Sequence, residues 1–230
     1  MELDEVMARL RALASEEDRE GMARFGIATG EALGVRVPDL RRLAKEVGRD
    51  HALALDLWGT GVHEARLLAT MVAEPREVTE DLMEAWLRDL DSWDLCDQAC
   101  SNLFDRHPLA HDKAVEWAGR KPEFEKRAGF ALMAVLAVHD KKAPDGAYEA
   151  FLPVIEREAW DDRNFVKKAV NWALRQIGKR NLALNALAVE AARRIEGQGT
   201  RSAKWIARDA LRELEGEKVR RRLEERAGGR

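Results

Sequence analysis

Residues 164–181, NFVKKAVNWALRQIGKRN, separate into two faces when set at about 100° per residue. Val166, Ala169, Val170, Ala173, Leu174 and Ile177 fall on one side, whereas Lys168, Trp172, Arg175 and Lys179 lie within about 60° of one another on the other. This is an amphipathic helix, and a single apolar stripe obliges it to find neighbours. The same reading extends to PDLRRLAKEV (38–47), EARLLATMVA (64–73), LMEAWLRDL (82–90) and WIARDALREL (205–214). No stretch alternates apolar and polar residues long enough for a strand. Pro38, Pro75, Pro108, Pro122 and Pro144 lie where a first helical turn or its preceding loop is expected, and Gly48, Gly61, Gly119 and Gly197 lie near helix ends. The expectation is an all-α chain of roughly a dozen or more helices joined by short turns. Exact repeats are absent, but the rhythm suits antiparallel helix pairs stacked into a right-handed or curved solenoid of HEAT-like repeats with a concave basic face. Residues 1–230 would form a single helical-repeat domain, with a helix over about 1–20 at one end and a basic tail over about 216–230 at the other. A compact helical globule would bury the same stripes.

The totals agree with helices. Hydrophobic residues make up 46% of the chain and charged residues 35%, with six prolines and one tyrosine, which suits solvated helix faces better than a sheet. The opening MELDEVMARLRALASEEDRE is too charged for a signal peptide, and no apolar run approaches the roughly 18 residues of a membrane span. A cytoplasmic protein without membrane or obligate protein partners is expected. Cys96 and Cys100 lie on one helix, and no further Cys, His or acid cluster completes a metal site with them, so they are expected to be small buried residues and no cofactor is expected.

A net charge of −3 would argue against nucleic acid were it evenly spread. Residues 161–230 hold 18 Lys and Arg against 10 Asp and Glu, out of chain totals of 39 and 42, so a basic third follows an acidic body. Within it RSAKWIARDALREL (201–214) repeats the pattern of 164–181. Arg201, Lys204, Trp205, Arg208 and Arg212 cluster opposite Ala203, Ile206, Ala207, Ala210 and Leu214. Cations supply phosphate contacts, and flat indoles fill a groove or press on a sugar without requiring a particular base. Plain solvated basic helices are the alternative.

Two further segments carry candidate chemistry. In DSWDLCDQAC (91–100), Asp91 is placed as a helix N-cap and Asp94 as its partner three residues on, leaving Asp97 in the second turn with no capping role, one turn beyond Trp93. In EFEKRAGFALMAVLAV (123–138), Ala128–Val138 contains no polar side chain, so the helix should be buried centrally. Arg127 in its first turns either runs its stem out to solvent or holds a cation rigidly at the rim of the core.

MARFG (22–26), LGVRVPDLRRLAK (33–45), DSWDLCDQ (91–98), KRAGFAL (126–132) and NFVKKAVNWALRQIGKRN together resemble, in order and spacing over about residues 20–215, the AlkD-like DNA alkylation repair enzymes, which are HEAT-like-repeat DNA glycosylases. The resemblance implies excision of cationic alkylated purines such as 3-methyladenine and 7-methylguanine from double-stranded DNA, without metal or cofactor. Carried over by segment, the catalytic positions are Asp97, Trp93, Arg127 and Trp172. Phe25, Arg41, Arg42, Lys168, Arg175, Lys179, Arg201, Lys204, Trp205 and Arg208 are assigned to DNA contacts. The departure is Phe25, where better-known members carry tyrosine. A DNA-structure binder that has lost catalysis and a protein-binding helical scaffold are the competing functions.

Overall fold

The computed structural model describes residues 1–27 and 30–228, and every regular element among them is helical. The chain divides into two units, Met1–His107 and Pro108–Arg230. The first contains α1 (Leu3–Ala12), α2 (Glu16–Arg24), α3 (Val37–Val47), α4 (His51–Gly59), α5 (His63–Val72), α6 (Glu80–Arg88) and α7 (Trp93–Asn102). The second contains α8 (Ala110–Ala118), α9 (Glu123–His139), α10 (Asp145–Glu149), α11 (Phe151–Glu158), α12 (Asn164–Gly178), α13 (Leu182–Gly197), α14 (Arg201–Leu214) and α15 (Glu217–Gly228). The expected tail over 216–230 is therefore helical up to Gly228, because Leu223 gives it one residue to bury.

Local chemistry sets the boundaries. Ser15, Asp50, Thr79, Asn181 and Thr200 each accept a hydrogen bond from the backbone N–H three residues on, satisfying a donor the helix itself cannot. Pro38 sits in the first turn of α3, and Pro122 and Pro144 immediately precede α9 and α10.

Adjacent helices pair as antiparallel hairpins, α4 with α5, α8 with α9 and α13 with α14. The second helices of successive pairs then lie parallel. In the first unit, His63 at the start of α5 meets Asp94 at the start of α7, and Thr70 near the end of α5 accepts from Asn102 at the end of α7. In the second unit, Arg127 bonds the Phe165 carbonyl near the starts of α9 and α12, while Arg180, just past α12, donates to the Ala137 and Asp140 carbonyls at the end of α9. Asn171 and Arg175 of α12 reach Asp209 and Glu213 of α14 on consecutive turns.

The core of the second unit is α9, whose residues from Ala128 to Ala137 are all buried, with Val138 at its edge 38% exposed. It packs against both α12 and α8, and its approach to α8 is close enough to need a glycine. A Cβ added at Gly129 would lie 2.3 Å from the Ala118 nitrogen and 2.8 Å from the Ala114 carbonyl oxygen, so the two backbones approach in a way only glycine permits. The far end of α9 is closed by Tyr148, whose hydroxyl donates to the Leu136 and Asp140 carbonyls at 3.1 and 2.8 Å and whose burial pushes its pKa up to about 12. Arg180 covers the same ring at 3.8 Å.

Replacing Gly129 with alanine should lower stability by about 1–3 kcal/mol, because two backbones would have to part. Gly21→Ala in α2, where an added Cβ meets nothing within 4 Å, should instead raise it by about 0.4–1 kcal/mol. Urea midpoints of the two variants against the unaltered protein measure both, and losses of equal sign would remove the close-approach argument.

Candidate functional site

In the first unit the site is built on α7. The helix begins at Trp93 behind an extended Ser92, one residue later than an Asp91 cap requires. Leu90 and Ser92 are buried and Asp91 is exposed, as alternation along an extended approach dictates, so Asp91 caps nothing. Asp94 consequently stands at the second helical position, where its Oδ2 lies 2.9 Å from the His63 Nε2. His63 is 5% exposed. Burial alone would discharge that imidazole, but the hydrogen bond and charge of Asp94, with Glu64 and Asp91 adding, hold its pKa above the ordinary histidine value. Burial likewise disfavours the Asp94 carboxylate, and His63, Ser92 and the Leu95 N–H outweigh it and hold Asp94 below the usual range. A half-buried ion pair thus anchors the start of α7 to α5.

The same turn of α5 holds the preceding loop. The buried Glu64 carboxylate accepts from the N–H groups of Leu33, Gly34 and Val35 at 2.8, 2.7 and 3.2 Å, and the His63 N–H donates to the Glu31 carbonyl. Gly34, at φ +79°, sits where a Cβ would lie 2.0 Å from the Ser15 carbonyl oxygen.

Trp93 and Asp97 follow on the anchored helix. Both are half-buried, and their Cβ atoms are about 6 Å apart as i and i+4 neighbours. The Trp93 indole N–H donates to the Phe25 carbonyl at 3.1 Å, tying α7 to the end of α2, while the Phe25 ring itself is 70% exposed. That tie uses backbone, so a phenylalanine supplies it as well as a tyrosine. Behind Asp97, Cys96 and Cys100 are fully buried, and the Cys100 thiol is pushed well above its ordinary range by burial first and then by Cys96, Asp97 and Asp105. A neutral Cys100 thiol therefore backs the carboxylate. Arg41 of α3 donates to the Gln98 side chain at 3.3 Å, one residue past Asp97, whereas Arg42 pairs with Asp39 of its own helix.

In the second unit Arg127 is 5% exposed, and its Nη1 donates to the Phe165 carbonyl at 2.7 Å. It is a cation held between α9 and α12 rather than one reaching for solvent. Trp172 is half-buried on α12 and Lys168 is exposed. Arg175 and Lys179, expected on an open basic stripe, are not open. Both bind Glu213 of α14, at 2.6 and 2.7 Å, and Arg175 also lies 3.5 Å from Asp209. Burial opposes the Glu213 charge, but Lys179 and Arg175 lower its pKa. Parallel packing causes this, because the side of α12 that helical projection leaves polar faces the next parallel helix. The outward cations are instead on α14, where Arg201, Lys204 and Arg208 are exposed beside an exposed Trp205, and of these three only Arg208 has an acid within ion-pair distance among the described residues, Glu196 at 3.8 Å.

Two aromatic and cationic features escape the sequence reading. Lys167 of α12 sits 5.2 Å from the Trp205 ring centre, joining the two helices through a cation on an indole. Trp160, 57% exposed, lies 5.1 Å from the ammonium of buried Lys126, which is itself neutralised by Glu158 and Asp161 at 2.7 and 3.0 Å. Burial resists the Asp161 charge, yet Arg163 and Lys126 bring its pKa down to about 2.

The sequence profile of the DNA alkylation repair enzymes matches residues 6–214. The chain belongs to that family. A solved structure, described as representing a new family of proteins related to the HEAT-like repeat DNA glycosylases with affinity for branched DNA structures, matches with a TM-score of 0.76 at 22% identity. The match covers 84% of this chain and 83% of that one. At this identity the likeness shows the fold, which is that of the HEAT-like repeat DNA glycosylases. No curated protein gives a match.

For this family member the His63–Asp94 pair sets a pH dependence. A histidine whose folded pKa is raised contributes stability in full below its unfolded value near 6.5 and loses it as pH rises through the folded value. NMR titration of His63 should give a midpoint above 6.5, falling in Asp94→Asn, and the variant should lose stability at pH 6 while showing a flatter decline toward pH 9. An unchanged His63 midpoint in the variant would remove Asp94 as its partner.

Proposed function

We propose that the protein hydrolyses the N-glycosidic bond of cationic alkylated purines, such as 3-methyladenine and 7-methylguanine, in double-stranded DNA. The observation that carries the reading is the position of Asp97, one turn beyond Trp93 on a helix whose start is fixed from two sides, by His63 on Asp94 and by Trp93 on the Phe25 carbonyl. Asp94 is engaged by His63 and Asp91 lies outside the helix, and Asp97 is the acid of this segment that the family resemblance assigns to chemistry.

The leaving group dictates what the site needs. N-alkylation makes the purine positively charged, so its departure needs no general acid, and the transition state is an oxocarbenium-like sugar seeking negative charge. Asp97 stabilises that cation and orients or deprotonates the attacking water. The family resemblance assigns Trp93 and Trp172 to the deoxyribose and Arg127 to a phosphate. Outward cations on α14, with Lys168 and Arg41, supply backbone contacts. Arg175 and Lys179, balanced by Glu213, act first as ties between helices and only secondarily as phosphate ligands.

A second reading is a binder of DNA structure without catalysis. Phe25 in place of tyrosine favours it, as does the affinity of the solved relative for branched DNA. Release of 7-methylguanine from a defined methylated duplex separates the two, since a binder retains DNA and releases nothing.

Under single-turnover conditions Asp97→Asn should slow base release by roughly 10² to 10³ while DNA affinity stays level or rises slightly, one negative charge having left a phosphate-facing surface. Asp91→Asn, at the exposed position before the helix, should release base at the normal rate. Equal rates for the unaltered protein and Asp97→Asn would take Asp97 out of the mechanism. Affinity for duplex should also fall steeply with rising salt, since roughly six phosphate contacts displace a similar number of counterions. A flat response, measured by anisotropy across a salt series, would count against the basic surface.

A further inference from the structure

At the closed end of α9 the second unit carries an open groove of about 1070 Å³, walled by the turn after α9, the junction of α12 with α13, and α15. Lys141, Lys179, Arg180, Arg222 and Arg226 line it against a single acid, Asp145. Some of this charge is spent on the fold. Lys179 binds Glu213, Arg180 holds the Ala137 and Asp140 carbonyls, and both Asp145 oxygens lie 2.9 Å from the Asn181 side-chain nitrogen. Lys141, Arg222 and Arg226 are exposed and make no ion pair among the described residues. The groove is therefore cationic where it is open.

The placement of α15 makes this more than a charged tail. Leu223, 2% exposed, also lines the groove and docks the helix, so the neighbouring Arg222 and Arg226 are carried on a fixed wall. As i and i+4 neighbours they are about 6 Å apart along the helix, comparable to the spacing of successive phosphates on one strand. Guanidinium groups meet phosphate oxygens in bidentate fashion, and several cations around one low-dielectric concavity raise the local concentration of anions. The volume exceeds that of one inorganic phosphate and suits a nucleotide-sized stretch of chain.

We propose that this groove binds the phosphodiester backbone of a nucleic-acid strand, as a second backbone site made of residues other than the outward α14 set. The proposal rests on the DNA-binding half of the proposed function and not on its catalysis, so it is tested with unmodified oligonucleotides. The probes are a single strand, a linear duplex and a four-way junction, followed by fluorescence anisotropy with the full chain. Arg222→Glu with Arg226→Glu should weaken binding of at least one probe roughly tenfold or more and reduce its salt slope by about two. Arg220→Glu with Arg221→Glu is the control, with the same charge change on exposed positions of α15 outside the groove; its affinities should stay within about threefold of the unaltered protein.

Equal losses in the two double variants, both folded by circular dichroism, would reduce the effect to net charge and overturn the proposal. No loss in the groove variant would overturn it too. Calorimetry with a mononucleotide and with poly-glutamate separates the other anions. If the groove variant abolishes either affinity while all three oligonucleotides bind as before, the site takes free phosphate or an acidic protein instead. Failure of the unaltered protein to bind any oligonucleotide would sink the DNA reading as a whole, whereas binding without base release would sink only the catalysis.

Discussion

An amphipathic helix placed in an array has to be held at one register against its neighbour, and in this chain polar side chains do that between successive second helices. His63 to Asp94 and Thr70 to Asn102 span 31 and 32 residues in the first unit, and Arg127 to Phe165, Asn171 to Asp209 and Arg175 to Glu213 each span 38 in the second. Apolar packing is non-directional and would tolerate sliding by a fraction of a turn. A buried hydrogen bond or ion pair does not, since breaking one leaves an unpaired polar group in low dielectric. Each bond therefore fixes the phase of one helix on the next, and with it which residues of that helix face outward.

That constraint sorts the acids of DSWDLCDQAC. They look alike in sequence, yet one lies outside the helix, one is bound to a histidine from the preceding pair, and one stands a turn further on with the buried, neutral Cys100 behind it. The difference comes from phase alone. Asp94 faces α5 and takes its cation, which leaves Asp97, 100° per residue further round by three positions, on the flank beside Trp93. Buried, protonated sulfur does not neutralise a carboxylate in front of it, so the field of Asp97 is not cancelled from that side.

Much of this is legible in the sequence. The 3.6-residue stripes, the prolines at helix starts and the all-apolar run of α9 lead directly to an all-α array, because each signal depends on local geometry that tertiary packing preserves. The failures share one cause. Asp91 reads as a cap because acids are good caps, but the extended approach to α7 turns Asp91 outward and Ser92 inward. Arg175 and Lys179 fall on the polar face of an isolated helix, and an isolated projection cannot distinguish a face turned to solvent from one turned to a parallel neighbour carrying Glu213. His63 is inconspicuous for the same reason. Its partner lies 31 residues away, a distance that becomes meaningful only once the repeat length is known.

Net charge is sorted by the same packing in the basic third of the chain. Arg175 and Lys179 are neutralised by Asp209 and Glu213 of α14, and Arg180 is turned onto backbone carbonyls. A pairing of this kind removes long-range field, since a cation with an anion in direct contact looks nearly neutral beyond a Debye length. The long-range positive field comes from the remainder, the exposed residues of α14 with Lys168, together with Lys141, Arg222 and Arg226 about their groove. Counting Lys and Arg along 161–230 overstates the attractive charge and hides its division into two sets. The fold itself consumes part of the basic excess to keep its parallel helices in register, and only the remainder stays exposed to solvent.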